Sequence, residues 1–364
     1  MNLFIDKRSL TPEPFLTSHD NCEDYFRRRM GFYNSKPVNS MEQKFPIAFS
    51  LLVYHQFDQV EQLLMAIYRE QNFYCIHIDK NARSGFRLRM ERLASCFPDN
   101  VFISDVSIDV EWGNYSLLQA ELECMQQLLN ISHKWKYFIN LTGEEFPLMT
   151  NLELVTVLRR FQGANILDGP EEIYDVKPWR YPEKLPHGMD RYKSSTHVAL
   201  SRDAVYFIIN GDLSKKLQQA LKPFNFAEES FFAILQYNPS SSMPGGLIVD
   251  GNDNRIKRQK SMRYKFWIHS KEELERCYSR RIVRDICCIG VKTLPELVGS
   301  FYGKVLFLNK FPWFFEPMAW DCMNLWHHSK VSLELSTKSV PANFSNLGNG
   351  SQVIWSRKSK SSAR

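Results

Sequence analysis

The chain has 364 residues, 44% of them hydrophobic, and a formal net charge of +6. That size allows one large or two small domains with a sizeable core. The charge excess is diffuse and forms no basic stripe with stacking aromatics, which argues against a nucleic-acid binder and suits an anionic ligand. No run of eighteen apolar residues exists, so no segment reads as a membrane span. Aromatic residues make up 13% of the chain; they can line a core or a sugar-binding face, and core is the commoner use.

In chain order, residues 1–44 read as an extended lead-in with little periodicity. Pro46–Tyr54 is an apolar run long enough for a buried strand. From Asp58 the period changes: Val60, Leu63, Leu64 and Ile67 share one helical face, with Asp58 as an N-cap or first-turn acid. Phe73–Ile78 is a second strand, ending at Asp79. Strand, helix and strand in about 35 residues make a βαβ unit and so a parallel sheet. Ligands of such sheets bind beyond the carboxyl ends of the strands, where His55 and Asp79 fall. Taken alone, Asp79 can equally be punctuation.

Ser84–Ala94 reads as a basic amphipathic helix with Ser84 placed to cap it, Val101–Ile103 as a strand and Asp105–Trp112 as a loop. The apolar spacing from Leu117 to Leu129 predicts a helix, and Trp135–Leu141 a buried strand before the turn Thr142–Glu145 and Phe146–Pro147. Asn151–Phe161 reads as a helix capped by Asn151. Residues 163–193 have no clear period, and a loop that long is usually functional or mobile. His197–Leu200 reads as a strand, Ala204–Ile209 and Leu213–Leu221 as helices, and Phe226–Leu235 as a helix opening on the acid pair Glu228 and Glu229. Met262–Trp267, Ile282–Ile289 and Val305–Leu308 are strand candidates, Pro317–Leu325 is a closing helix, and 331–364 reads as a disordered basic tail. The alternation implies an α/β fold with a parallel core and later mixed strands.

GxGxxG after a strand, GxxxxGK[ST] and GxSxG are all absent. The run from Asp250 to Asn254 lacks calcium-loop spacing and reads as a turn. Eight cysteines form no CxxC pair and no zinc-spaced cluster. With sequons at Asn114, Asn130, Asn140, Asn343 and Asn349 they lean towards an oxidising lumenal compartment. Met1–Ser40 lacks the apolar stretch of a signal peptide, which conflicts with that reading unless the natural amino terminus is missing.

The stretches FPIAFSLLVYH, LLMAIYREQNFYCIHID, LQAELECM, WKYFINLTGEEFPLMTNLELV, SSTHVALSRDAVYFI, FAEESFFAIL, RDICCIG and LNKF follow one another from about Cys22 to Cys322. This order resembles the core 2/I-branching β-1,6-N-acetylglucosaminyltransferases, the family that also contains the peptide O-xylosyltransferases. The resemblance implies a variant GT-A fold, with a central mostly parallel sheet flanked by helices, over 45–330. It implies inverting transfer of GlcNAc from UDP-GlcNAc to a glycoprotein O-glycan, no metal and no cofactor, in the Golgi lumen. The family's membrane anchor is not present in this chain. A DxD motif is absent, Asp109–Val110–Glu111 being the nearest approach.

The resemblance places Arg284 and Lys310 on the donor diphosphate, where fixed cations can stabilise the leaving UDP. It makes Glu229 the catalytic base, with Glu228 in support. Without the resemblance, the acid pair simply suits a helix N-terminus, and Lys310 reads as a snorkelling surface residue. Donor positions carry over as Val53 and Asp79 at the uracil and Trp112 near the nucleoside. Acceptor positions carry over as Ser195, with Thr196, and as Trp267 and Glu172. Glu172 falls in a 170–184 loop with Lys177, Trp179 and Arg180. Two departures bear on substrate: Ser194 stands where the family has Gly, which could narrow the sugar pocket, and His269 replaces a Tyr. The family's pairing implies Cys75–Cys124, Cys22–Cys96 and Cys277–Cys287, with Cys288 able to substitute for Cys287. Cys322 and one of Cys287 and Cys288 are then free. The alternatives are a xylosyltransferase using UDP-xylose, an inactive glycan-binding relative, and, supported only by the absent signal segment, a cytosolic small-molecule enzyme.

Overall fold

The computed structural model describes residues 21–30, 34–168, 182, 184–246 and 262–341. Helices α1 (Cys22–Met30) and α2 (Ser40–Gln43) precede strand β1 (Ile47–Val53). Three strand-and-helix repeats follow: α3 (Phe57–Ile67) and β2 (Phe73–Ile78), α4 (Ser84–Ser95) and β3 (Val101–Ile103), α5 (Ser116–Ile131) and β4 (Tyr137–Thr142). Then come β5 (Phe146–Pro147), α6 (Asn151–Arg160), β6 (Ile166–Leu167), β7 (Val198–Ser201), α7 (Arg202–Asn210), α8 (Asp212–Leu221) and α9 (Ala227–Tyr237). Short strands β8 (Arg263–Tyr264), β9 (Phe266–Trp267), β10 (Ile282–Val283), β11 (Ile286–Cys287) and β12 (Phe307–Leu308) lead to a closing helix, Pro317–Thr337.

The main sheet runs β3-β2-β1-β4-β7-β6. Strands β3, β2, β1 and β4 are mutually parallel, whereas β7 and β6 join antiparallel. This is the expected α/β architecture. Alternate residues of each central strand feed opposite faces. Ile47, Phe49, Leu51 and Val53 of β1 join the core beneath α3, α4 and α6, while Ala48 faces the core of α5, α7, α8 and α9. Both faces are covered, which explains why these strands read as unbroken apolar runs. Two three-stranded sheets, β10-β11-β9 and β5-β12-β8, flank the main one.

Several expectations are corrected. The lead-in is not simply extended: its described part holds α1 and α2, and Cys22 is bonded to Cys96. Of the two readings of Asp58, the first-turn acid holds, and Gln56, in the left-handed region, precedes the helix Phe57–Ile67. Arg83 rather than Ser84 precedes α4, and Thr150 rather than Asn151 caps α6 in a capping box with Glu153. The closing helix runs on to Thr337, beyond the Leu325 end expected for it and past residue 330. Its inner face is polar there and masks the apolar period: Lys330 Nζ lies 2.7 Å from Glu153, and Glu334 accepts from Thr150 at 2.6 Å. Residues 342–364 and the 250–254 turn lie outside the described residues.

All three expected disulfides form, Cys22–Cys96, Cys75–Cys124 and Cys277–Cys287. Cys288, buried, and Cys322, exposed, are free. No helix among the described residues is long and apolar enough to cross a membrane.

Candidate active site

Strands β1, β2 and β4 end together, so Val53, Asp79 and Thr142 open onto one edge of the sheet, where a parallel α/β fold places its ligand. Asp79 is 9% exposed; one carboxylate oxygen accepts from Asn81 N–H at 2.7 Å and the other from Val110 N–H at 2.9 Å. It therefore pins the 105–112 loop, and its remaining lone pairs stay open to a ligand donor. The Val53 carbonyl accepts from Asp79 N–H at 2.9 Å.

The pinned loop delivers Trp112, 62% exposed, which meets Phe226 edge-on at 5.0 Å. Phe226 N–H donates to the Gly113 carbonyl at 2.7 Å, and Gly113 has a φ of 77°, so the loop is docked on the start of α9. The Arg284 guanidinium sits 4.9 Å from the Trp112 ring centre. Arg284 and Asp285 form the two-residue turn between β10 and β11, with φ values of 52° and 60°. Positive φ at both central positions marks a type I′ hairpin. Ile282–Ile289 is thus a hairpin and not the single strand expected. Tyr54, exposed beside this cluster, feels Glu144, Arg284 and Asp79; burial first, then the two carboxylates, push its phenol up.

Lys310 lies beyond β12. Its ammonium is 3.2 Å from a Glu144 carboxylate oxygen. Beneath this pair is a buried polar platform: Glu145 accepts from Arg263 Nε at 3.0 Å and from Asn309 Nδ2 at 3.1 Å, with His197 Nε2 at 3.5 Å. Burial, followed by Lys265, Arg263 and Lys310, holds His197 well below its ordinary pKa. Its contact with Glu145 is therefore that of a neutral imidazole and not an ion pair.

The acid pair occupies the first turn of α9, as expected, where the helix dipole favours anions. Glu229 is partly exposed, and Lys193 Nζ lies 3.6 Å from its carboxylate. Its carbonyl accepts from Ser194 N–H at 2.8 Å. Glu228 is buried and lines a small cavity with Glu121, His197, Thr196 and Asn140. Glu121, hydrogen-bonded by Ser50, is pushed up to about 7 by burial. The Ser194 hydroxyl donates to the Asp168 carbonyl at 2.6 Å. Ser195 Oγ accepts from Lys265 Nζ at 3.2 Å. Trp267 stacks on His269 at 5.9 Å and 10°, which gives the departure from Tyr a structural role.

The sheet edge and the hairpin thus bring Val53, Asp79, Trp112 and Arg284 together. Lys265 holds Ser195, Ser194 N–H meets the Glu229 carbonyl, and Lys310 pairs with Glu144. Glu172, Lys177, Trp179 and Arg180 lie outside the described residues. Among those described, no three His, Cys, Asp or Glu side chains converge as a metal-binding group. Sequence reasoning missed Tyr54, Glu144, Lys193 and Lys265. The signal for Glu144 was the turn TGEEF at a strand's carboxyl end, and for Lys265 a charge inside an apolar strand.

A core-2/I-branching enzyme family model matches residues 47–297. The chain is similar to β-1,3-galactosyl-O-glycosyl-glycoprotein β-1,6-N-acetylglucosaminyltransferase 4 of Danio rerio, 33% identical over 325 residues that cover 83% of this chain and 74% of the relative. It is 31% identical over 343 residues to N-acetyllactosaminide β-1,6-N-acetylglucosaminyl-transferase of Homo sapiens, covering 88% and 81%. The human β-1,3-galactosyl-O-glycosyl-glycoprotein β-1,6-N-acetylglucosaminyltransferase is 28% identical over 337 residues, covering 86% and 76%. With the sheet, hairpin and acid-bearing helix all inside the matched span, the chain belongs to the core-2/I-branching enzyme family and is a glycosyltransferase.

Proposed function

We propose that this chain transfers N-acetylglucosamine from UDP-N-acetylglucosamine to a 6-hydroxyl of an O-glycan, with inversion and without a metal ion. The observation that carries the reading is a partly exposed acid in the first turn of α9, Glu229, in a chain that also holds two cations beyond strand ends, Arg284 against Trp112 and Lys310 against Glu144. In the proposed step the acceptor oxygen bonds to the anomeric carbon while the bond from that carbon to the diphosphate breaks. The acceptor proton passes to the Glu229 carboxylate, and the electron pair leaves with UDP. Arg284 and Lys310 take up the charge developing there. Asp79 and Val53 hold the uracil, and Trp112 the nucleoside. Ser195, Glu228 and Trp267 face the acceptor. Three disulfides support an oxidising compartment, which we take to be the Golgi lumen.

The test is transfer from radiolabelled UDP-GlcNAc to a core 1 disaccharide in EDTA, with UDP-xylose as the competing donor. Turnover from UDP-GlcNAc is expected. Glu229→Gln should lower kcat by at least about 10²-fold and leave UDP affinity unchanged. Undiminished turnover in that variant would remove Glu229 from the role.

A further inference from the structure

We propose that Glu144 is a resident anion of the diphosphate subsite that weakens binding of UDP more than binding of the UDP-sugar and so promotes product release. This rests on the reading of Lys310 as a diphosphate ligand. Glu144 is not a chance neighbour. Strand β5 pairs antiparallel with β12 through Phe146–Leu308 and Pro147–Phe307, and Phe311 N–H donates to the Glu144 carbonyl at 3.0 Å. Gln59 Nε2 ties the two arms together, donating to the Gly143 carbonyl at 2.6 Å and to the Phe311 carbonyl at 3.3 Å. The Lys310 carbonyl is itself held by Ile289 N–H at 2.9 Å. The backbone thus fixes carboxylate and ammonium across from one another, and both side chains are mostly buried.

Burial is the first cause at Tyr54, His55 and Cys288, pushing the phenol and the thiol up and the imidazole down, and the Glu144 carboxylate adds an upward pull at each. A phosphate reaching Lys310 must therefore share the ammonium with Glu144 or displace it, and meets like charge while doing so. The β-phosphate of a UDP-sugar, joined by one anhydride and one ester bond, carries one negative charge. The terminal phosphate of UDP, joined only through the anhydride, carries nearly two at neutral pH. The repulsion falls harder on the product than on the substrate. A site of bare cations would instead hold UDP most tightly after transfer.

The test is calorimetric titration of UDP and of UDP-GlcNAc into the wild-type chain, Glu144→Gln, Lys310→Met and the double variant. In Glu144→Gln, UDP should bind about five- to tenfold more tightly and UDP-GlcNAc about two- to threefold. Relative to Lys310→Met, the double variant should still bind UDP more tightly, because the like-charge repulsion does not need the lysine. Glu144→Met, which keeps the bulk without the charge, guards against an effect of the amide. Unchanged or weaker UDP binding, or equal tightening of both ligands, would overturn the proposal. If Lys310→Met weakens UDP while Glu144→Gln does not tighten it, the inference about Glu144 fails and the donor site stands. If Lys310→Met leaves UDP binding unaltered, the donor-site reading falls and this inference with it.

Discussion

Lys265 shows what a single residue gains from its tertiary surroundings. In the sequence it sits between Tyr264 and Phe266 and reads as a charge interrupting a strand. In the fold its ammonium reaches Ser195 and lies 6.0 Å from the Trp267 ring centre. Burial lowers its pKa to about 8, against the opposing pull of Asp168, Glu145 and Glu229. Below that value it is a cation positioning Ser195 beside Glu229; above it the charge is lost. Transfer should therefore fall as pH rises through about 8. Lys265→Arg should move that limb upward, and Lys265→Met should abolish it with about a tenfold lower kcat, UDP affinity unchanged. A pH–rate profile of the three proteins decides it. By contrast, the place of Glu228 and Glu229 at the start of a helix was legible beforehand, because acids suit the first turn; their role came from the resemblance and not from the residues.

Among the elements, the parallel strands were easiest to read, because burial on both faces leaves an unbroken apolar run. The β10–β11 hairpin was not, since its turn is Arg284–Asp285 and lacks the Asn-Gly or Asp-Gly that usually announces a type I′ turn. The closing helix was read short for a different reason. Its last turns pack by charge: Lys330 pairs with Glu153 and also donates to the Leu148 carbonyl at 3.1 Å. Removing Lys330 with alanine would leave a buried carboxylate without its partner. Lys330→Ala should cost roughly 3–5 kcal/mol, and replacing both partners by Lys330→Met with Glu153→Gln should cost distinctly less. Denaturant midpoints of the two proteins would check this. Asn140 is a further case. Its sequon looked like a glycan acceptor, yet the side chain is buried in β4 and bridges the Thr196 carbonyl and Val198 N–H, so the folded chain closes it to modification.

For the molecule as a whole, buried acids and imidazoles set opposing dependences on pH. Burial raises Glu121 to about 7 and Glu334 to about 8, so the fold holds their protons more tightly than the unfolded chain. Their contribution is complete at acid pH and is lost as pH rises through those values. Burial pushes His197 and His327 well below 6.5, so their contribution is lost as pH falls through 6.5 and below. The two effects oppose one another under acid conditions, leaving a net decline between about pH 6.5 and 8. Denaturant midpoints measured across that window should fall, and Glu121→Gln with Glu334→Gln should flatten the slope. None of these shifts was legible in the sequence, because each arises from burial that only the assembled layers create. The order of strands and helices was legible, because it rests on local periodicity.

The clip between Cys277 and Cys287 spans 10 residues and has Arg284 near its tip. The hairpin's other ties are a handful of backbone bonds, such as Ile268 N–H to the Asp285 carbonyl at 2.8 Å. Opening this clip would free the turn that holds the guanidinium against Trp112, so the pose of Arg284 depends on an oxidised pair.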